Sequence, residues 1–192
     1  MTRMTPSLTI SYQIDSSDRL VQVNEGWSEF ARGNDGEQVM PELVLGEPLW
    51  KFISDHTVSD IYRRLVLIAR QGRRSSFRYR CDAPRYKRTF QMEISATEQG
   101  HVKFRSALLS EEERAAVPLL MPRTRPSNTY VRICSWCHVV AWPGETWKPL
   151  ETATERVVDV DEADPPELTH GICETCAQSM LELLANQSFP KD

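Results

Sequence analysis

The chain has 192 residues, 40% of them hydrophobic, with five cysteines and a formal net charge of −4. This length suits one ordinary domain together with a smaller one. The sequence has no apolar run approaching the roughly 18 residues of a membrane span, and its N-terminal segment lacks the basic flank and apolar run of a signal peptide. These features argue against a membrane-spanning protein, and we expect a cytoplasmic one.

Charge is distributed unevenly along the chain. The first 125 residues carry a net charge of +3, whereas the remaining 67 carry −7. A module that binds DNA or RNA normally presents clustered lysines and arginines to the phosphates. We therefore expect a protein partner for the C-terminal part, and we do not expect nucleic acid to be its direct partner.

Alternating apolar and polar residues open the chain and predict a β-hairpin with strands over 8–15 and 19–24. Asn24 then begins a short helix that places Trp27 and Phe30 on one face. A cluster rich in glycine and asparagine follows and is expected to end this helix.

A longer helix is predicted further along. Thr57, with Asp60 three residues later, forms a variant of the capping box. Apolar residues recur at helical spacing from Ile61 onward, and Gly72 lies where a C-terminal cap is expected. The sequence therefore predicts a helix that begins at Thr57 and ends before Gly72.

The hydrophobic period then changes to two, over 75–82, 87–97 and 101–109. These runs predict three antiparallel strands joined by turns near Ala83 and Gly100. Residues 110–114 are expected to be helical. The order of elements is thus two strands, several short helices and three strands.

This order, together with the stretch N-E-x-W-x-x-F-A at 24–31, resembles a PAS domain over residues 8–110. The resemblance implies an α+β fold in which a five-stranded antiparallel sheet carries helices on one face. In that family the space between sheet and helices either holds a small ligand or is filled by side chains. The sequence does not distinguish the two cases.

The side chains that would surround this space are apolar and mostly aromatic. They are Trp27, Phe30, Trp50, Phe52, Tyr62, Phe77, Tyr79, Phe90, Met92 and Phe104. Nearly all of them fall on a face that must be buried in any case, so they are equally explained as core.

A basic run occupies residues 73–88, with Arg78 and Arg80 predicted on the same face of a strand. Such a run is usually a solvated surface, but it would also suit an acidic partner or the acidic tail of the same protein. Cys81, at the end of this strand, is expected to be an ordinary strand cysteine.

Prolines mark a boundary after these strands. We divide the chain into a PAS-like sensor domain at 8–114, a proline-rich linker at 115–128 and a four-cysteine module at 129–187. A helix is also expected between the two cysteine pairs, over 147–160.

Four of the five cysteines form two CxxC pairs, Cys134 with Cys137 and Cys173 with Cys176, separated by 35 residues. The spacing within each pair lets both sulfurs reach one metal ion. The first pair follows an apolar strand and the second begins a helix, an arrangement that resembles a treble-clef zinc finger. We predict one structural zinc ion, whose binding, worth roughly 10 to 16 kcal/mol in small zinc peptides, supplies most of the folding free energy of this module.

Other interpretations of these cysteines stay open. They are merely buried thiols, a redox-active pair, or, because His138 completes a CxxCH sequence, a haem attachment site. His170 is a candidate for an alternative metal ligand or for a side chain that hydrogen-bonds a thiolate, although packing or capping is its simpler role.

The tail also resembles the cysteine-containing C-terminal extensions of bacterial PAS signalling proteins. In those extensions a tryptophan-containing segment precedes a T-H-G-I-C-x-x-C stretch. The matching residues here are Cys134, Trp136, Cys137, Trp147, Thr169, His170, Gly171, Ile172, Cys173 and Cys176.

Sequence motifs for catalysis are missing: there is no glycine-rich phosphate loop, nucleophile elbow or H-E-x-x-H motif. A zinc ion held by four cysteines also leaves no open position for water. We therefore predict a non-enzymatic sensor or adaptor in bacterial signal transduction that acts through a protein partner and pairs as a homodimer. The alternatives are a thiol-based redox or metal sensor and a nucleic-acid-binding regulator, which the acidic tail disfavours.

Overall fold

The N-terminal part of the chain is built on antiparallel strands. The computed structural model describes residues 8–121, 129–153 and 166–186. Parts of the predicted linker, of the predicted helix at 147–160 and of the module's end therefore lie outside the described residues. Within them, the protein is an α+β structure with a five-stranded antiparallel sheet, several helices and a compact four-cysteine cluster.

The five-stranded sheet has the strand order β2-β1-β5-β4-β3, and every neighbouring pair is antiparallel. Its strands are β1 (Thr9–Ile14), β2 (Leu20–Val23), β3 (Ser75–Arg80), β4 (Tyr86–Ala96) and β5 (Val102–Glu113). The first hairpin and the period-two runs predicted from sequence all lie in this sheet. β1 occupies its interior because β5, the last strand, returns to pair with it.

Three helices connect β2 to β3 and pack on one face of this sheet. They are α1 (Glu25–Arg32), α2 (Pro41–Val44) and α3 (His56–Arg70), with 3-10 turns at Glu37–Val39 and Leu49–Phe52. One face of the sheet is buried: Phe77, Met92 and Phe104 lie under the helices. The other face carries exposed residues that follow them in the sequence, for example Arg78 and Glu93. This alternation is the origin of the period-two pattern.

Asn24 and Gly26 fix α1 against β1. The side-chain oxygen of Asn24 accepts hydrogen bonds from the backbone N–H groups of Ser11 (2.8 Å) and Trp27 (3.1 Å), and its amide donates to the carbonyl of Thr9 (2.8 Å). A Cβ at position 26 would overlap the Thr9 carbonyl. Only glycine therefore allows the first turn of α1 to approach the strand this closely.

The predicted N-cap of α3 is wrong by two residues. Asp55 is the N-cap, and its carboxylate accepts a hydrogen bond of 2.9 Å from the Val58 backbone N–H. Thr57 already lies within the helix and is exposed. Aspartate is at least as good a cap as threonine, and the extended backbone at Asp55 places its side chain over the first turn.

The predicted helix at 110–114 is also wrong, because β5 continues to Glu113. Ser110 pairs with Thr89, and Glu111 pairs with Arg88, whose guanidinium contacts the Glu111 carboxylate at 2.7 Å. Glutamates are good helix formers, but intrinsic helix propensity is a weak preference. The cross-strand partners of β4 override that preference.

A second, three-stranded sheet forms the C-terminal part, in the order β7-β6-β8. Its strands are β6 (Tyr130–Cys134), β7 (Val140–Ala141) and β8 (Glu167–Gly171), accompanied by the helices α4 (Leu150–Ala153) and α5 (Glu174–Asn186). β6 is antiparallel to β7 and parallel to β8. We call this part, residues 129–186 as described, the cysteine module.

Part of the predicted linker packs into the cysteine module. Residues Pro118–Leu120 form a 3-10 turn, and Val117 and Leu119 are buried there. They share a small core with Val131, Ile133, Val140 and Leu150.

Among the described residues, no helix is both long enough and apolar enough to cross a membrane.

The corrected cap leads to a direct test. The substitution Asp55→Ala should lower the free energy of unfolding by about 1 kcal/mol, because the Val58 N–H loses its acceptor. Thr57→Ala is the matched control and should change it by less than about 0.5 kcal/mol. Urea denaturation followed by circular dichroism measures both. A larger effect at Thr57 than at Asp55 would restore the cap predicted from sequence.

Candidate metal centre

The pairing of β6 with β8 brings the two cysteine pairs together. Cys134 ends β6 and is aligned with Gly171 at the end of β8. The backbone N–H of Ser135 donates to the Gly171 carbonyl at 2.8 Å. The chain then passes from Gly171 to Cys173 within two residues, and Cys176 follows in the first turn of α5, as predicted. A long separation in sequence thus becomes a short one in space.

The four sulfurs are positioned to bind one metal ion. The Sγ atoms of Cys134, Cys137, Cys173 and Cys176 all lie within 4.8 Å of one another. The sulfurs of Cys137 and Cys173 are 3.7 Å apart. A tetrahedral zinc ion with bonds of about 2.3 Å requires sulfurs separated by about 3.8 Å. The cluster is therefore close to the geometry of a four-thiolate site.

Burial and hydrogen bonding shift the pKa values of the thiols in this cluster in opposite directions. The Cys137 thiol and the Cys173 backbone N–H, 3.4 Å from the Cys134 sulfur, lower the pKa of Cys134. The hydrogen bond to Cys134, together with burial, raises the pKa of Cys137. Burial and the nearby Cys134 charge raise the pKa of Cys176 to about 12. Four thiolates in this space need a cation to neutralise them.

The two histidines near the cluster have different positions. His170 lies on β8, is largely exposed and is not among the four grouped ligands. His138 adopts a left-handed backbone conformation (φ 60°) directly after Cys137, and its N–H donates to the Cys134 carbonyl at 3.0 Å. This tight turn lets Cys134 and Cys137 face the same point.

Trp136, between the first two cysteines, anchors the module to the N-terminal sheet. It is 6% exposed, and its ring centroid lies 5.9 Å from that of Tyr62 on α3 and 6.0 Å from that of Phe77 on β3. The Trp136 carbonyl accepts a hydrogen bond of 2.7 Å from the backbone N–H of Arg80. The cysteine turn thus extends the edge of the sheet and shares its core.

A buried carboxylate reinforces this contact. The Asp82 side chain is fully buried and lies between Arg80 and Arg114, 2.9 Å from the latter. Both guanidinium groups also contact Glu151 of α4 at 2.8 Å. Burial opposes ionisation of Asp82, but its contacts with His138, 3.7 Å away, and with Arg80 outweigh this and hold the Asp82 pKa well below its usual value.

The pairing of Arg80 with Glu151 joins the basic run to the acidic C-terminal part, one of the two roles considered for that run. Arg78, predicted beside it, is exposed. Sequence reasoning missed Asp82, since nothing local marks an aspartate in a turn as the buried partner of two arginines that lie far apart in the sequence.

A cavity of about 460 Å³ lies between the sheet and the helices. Six of the ten residues predicted to surround such a space line it, namely Trp27, Phe30, Phe52, Tyr62, Tyr79 and Met92. The other four lie elsewhere: Phe77, Phe90 and Phe104 are packed in the core, and Trp50 donates to Asp18 (2.8 Å) beneath the Arg63 guanidinium.

The cavity wall also contains residues that the sequence did not predict there. Tyr12 and Ser106 contribute hydroxyls, and Ser135 and His170 come from the cysteine module. The Tyr79 hydroxyl donates to Ser106 Oγ at 2.9 Å. Strand alternation could have identified Tyr12, but no sequence signal places residues of the cysteine module beside this cavity.

Comparison with known proteins does not extend this description. No protein-family model matches the sequence, and no curated protein is significantly similar to it. The class of protein therefore follows from fold and site: an α+β protein with a five-stranded antiparallel sheet and a four-cysteine cluster positioned to bind a metal.

Metal content tests the cluster. Wild-type protein purified under reducing conditions should contain one zinc ion per chain by inductively coupled plasma mass spectrometry, and Cys173→Ser should lose most of it because one of four thiolates is missing. Cys81→Ser is the matched control, since Cys81 lies outside the cluster. Equal metal in both variants would exclude the four-cysteine site.

The buried carboxylate gives a second test. Asp82→Asn should lower the free energy of unfolding by about 3 kcal/mol, because it removes the buried charge between Arg80 and Arg114 and leaves them only the more exposed Glu151. Glu93→Gln breaks an exposed pair with Arg105 at 3.2 Å and should cost less than about 1 kcal/mol. Urea denaturation of metal-loaded protein compares them. Similar small losses would mean that Asp82 does not hold the interface.

Proposed function

We propose that this protein is a PAS-like sensor or adaptor of bacterial signal transduction that works in the cytoplasm by contacting another protein. In this proposal it is not an enzyme, and the cysteine module is a treble-clef-like unit that holds a structural zinc ion. The sheet and helices receive the signal, and the cysteine module presents it.

The strand order β2-β1-β5-β4-β3 supports the PAS-like part of the proposal. The helices between β2 and β3 lie on one face, and the cavity lies beneath them. This arrangement agrees with the resemblance in the N-E-x-W-x-x-F-A stretch, where Asn24 and Gly26 hold α1 against the sheet. Sequence motif and architecture thus point the same way.

The donor set supports zinc and a structural role. Four cysteines form the group, with Cys134 and Cys173 buried and the other two half-buried. Soft thiolates suit zinc. Four protein ligands also complete its tetrahedral coordination and leave no position for a substrate or a reactive water. This chemistry favours a module that is stabilised by its metal over one that catalyses with it.

The observation that carries the proposal is the position of Trp136. It belongs to the turn between Cys134 and Cys137 but packs against Tyr62 and Phe77 of residues 8–114, which we call the sheet domain. Tyr62 also lines the cavity. A change in the cavity would therefore reach the cysteine turn through a single aromatic contact, which is what a sensor with an output module needs.

The outer surface of the cysteine module offers positions for a partner. Tyr130 and Leu181 are about half exposed (50% and 48%), although both are large apolar residues. The C-terminal part is acidic, which favours a partner with basic groups around an apolar centre. Homodimer formation belongs to the same proposal and is measured by light scattering after size-exclusion chromatography.

A thiol-based sensor remains the second candidate, because Cys137 and Cys176 are only half-buried. Oxidation of these thiolates would release the metal. Retention of zinc at a mild peroxide concentration that oxidises free cysteine favours the structural role. Release of zinc together with loss of two thiols favours the redox sensor.

Proximity labelling tests the adaptor function. The chain fused to a biotin ligase should label a reproducible partner in its native cells. Trp136→Ala should keep its metal but label that partner less, because the module loses its anchor in the sheet domain. Leu67→Ala removes an exposed side chain of α3 and serves as control. Labelling no stronger than that of the ligase alone would contradict the proposal.

A further inference from the structure

The cavity combines apolar walls with a small group of hydroxyls. Tyr12, Tyr62 and Tyr79 line it together with Ser106. Each tyrosine ring contacts an aromatic neighbour: Tyr12 stacks on Phe104 with centroids 4.5 Å apart. Tyr79 stacks on Phe90 at 5.7 Å, and Tyr62 lies tilted against Phe104 at 6.4 Å. The hydroxyls are therefore held in place and not free to turn away.

Two of these hydroxyls are available to a ligand. Tyr79 is paired with Ser106 at 2.9 Å. The rings of Tyr12 and Tyr62, by contrast, make aromatic contacts. Within the described part of the chain, their hydroxyls make no hydrogen bond. Both side chains are half-buried and line the cavity, so each hydroxyl leaves a hydrogen-bonding position open to it. A molecule in the cavity with a polar group can occupy that position.

The surroundings select against a charged ligand. Burial raises the pKa of Tyr12 and Tyr62, so both stay neutral. No lysine or arginine is among the described residues that line the cavity, so an anion would lose its hydration without gaining an opposite charge. A cation would find one carboxylate among these residues, that of Asp55, which is already engaged as the cap of α3 through Val58.

The cysteine module completes the wall. Ser135 and His170 both line the cavity. Ser135 directly follows Cys134, and its N–H is bonded to Gly171, which follows His170. These two residues are therefore positioned by the same β6–β8 junction that assembles the cysteine cluster.

We propose that the cavity is a composite site for a small, uncharged, mainly apolar molecule with a hydrogen-bonding group, closed on one side by the metal-loaded cysteine module. The proposal rests on the proposed function and adds to it the chemistry of the ligand and its dependence on the metal. The volume of the cavity, about 460 Å³, lies in the usual range for sites that bind small molecules.

Loss of the metal would open this site. Without a cation, the four cysteine positions no longer hold β6, β8 and α5 together at their ends. Ser135 and His170 would then leave the rim, and Trp136 would lose its position against Tyr62. By reciprocity, a ligand that requires the closed wall strengthens metal binding by the same factor.

N-Phenyl-1-naphthylamine, an uncharged fluorescent probe with one N–H donor, tests the site. Metal-loaded full-length protein should bind one probe molecule per chain. The sulfonated analogue 8-anilinonaphthalene-1-sulfonate should bind at least about tenfold more weakly, because its charge has no counterpart in the wall. Equal binding of the two would overturn the predicted ligand class.

Hydroxyl recognition is tested with a double variant. Wild-type protein should prefer N-phenyl-1-naphthylamine over 1-phenylnaphthalene, which lacks the N–H, by about three- to tenfold. Tyr12→Phe combined with Tyr62→Phe should remove this preference while retaining the fold. Ala31→Leu, which adds volume at the cavity wall, should weaken both compounds. An unchanged preference in the double variant would refute recognition by these hydroxyls.

Chelation tests dependence on the metal. Removing the metal should weaken probe binding at least about tenfold, and adding zinc should restore it. Undiminished binding by metal-free protein would refute the composite site and leave the adaptor function standing. Failure of the proposed function would be seen separately, as absence of metal in the purified wild type or absence of a labelled partner.

Discussion

The packing of Trp136 between Tyr62 and Phe77 is the contact on which the arrangement of this protein depends. It inserts a residue of the turn between Cys134 and Cys137 into the core formed by the five-stranded sheet and its helices. Buried aromatic contacts of this size contribute much of the energy of an interface. Because Trp136 lies between Cys134 and Cys137, the anchor and the first cysteine pair belong to one turn.

A network of charged side chains also joins the five-stranded sheet to the cysteine module. Asp82, buried after β3, links Arg80 and Arg114 of the sheet domain, and Glu151 of the cysteine module contacts both. A buried carboxylate with its partners in place often adds little net stability, although losing one partner is costly. We therefore expect the aromatic contact to supply most of the docking energy and the carboxylate network to select one orientation.

The sequence predicted those features that depend on local periodicity or spacing. The five strands follow from alternation, and the four cysteines from two CxxC pairs. It failed where long-range contacts decide: residues 110–113 are a strand because Arg88 pairs with Glu111. The roles of Asp82 and of the residues at the cavity rim could not be predicted for the same reason, since their partners lie on other elements. At the start of α3, the capping-box pattern of Thr57 and Asp60 points past Asp55, an equally good cap two residues earlier.

The unpredicted part of the site is also the part that joins its two halves. Ser135 and His170 bring the cysteine module to the cavity, whereas Tyr62 brings the cavity to Trp136. A ligand that contacts both sides would bind only when they are in register. Any coupling between cavity and metal then needs no long pathway, because the same few residues form the boundary of both sites.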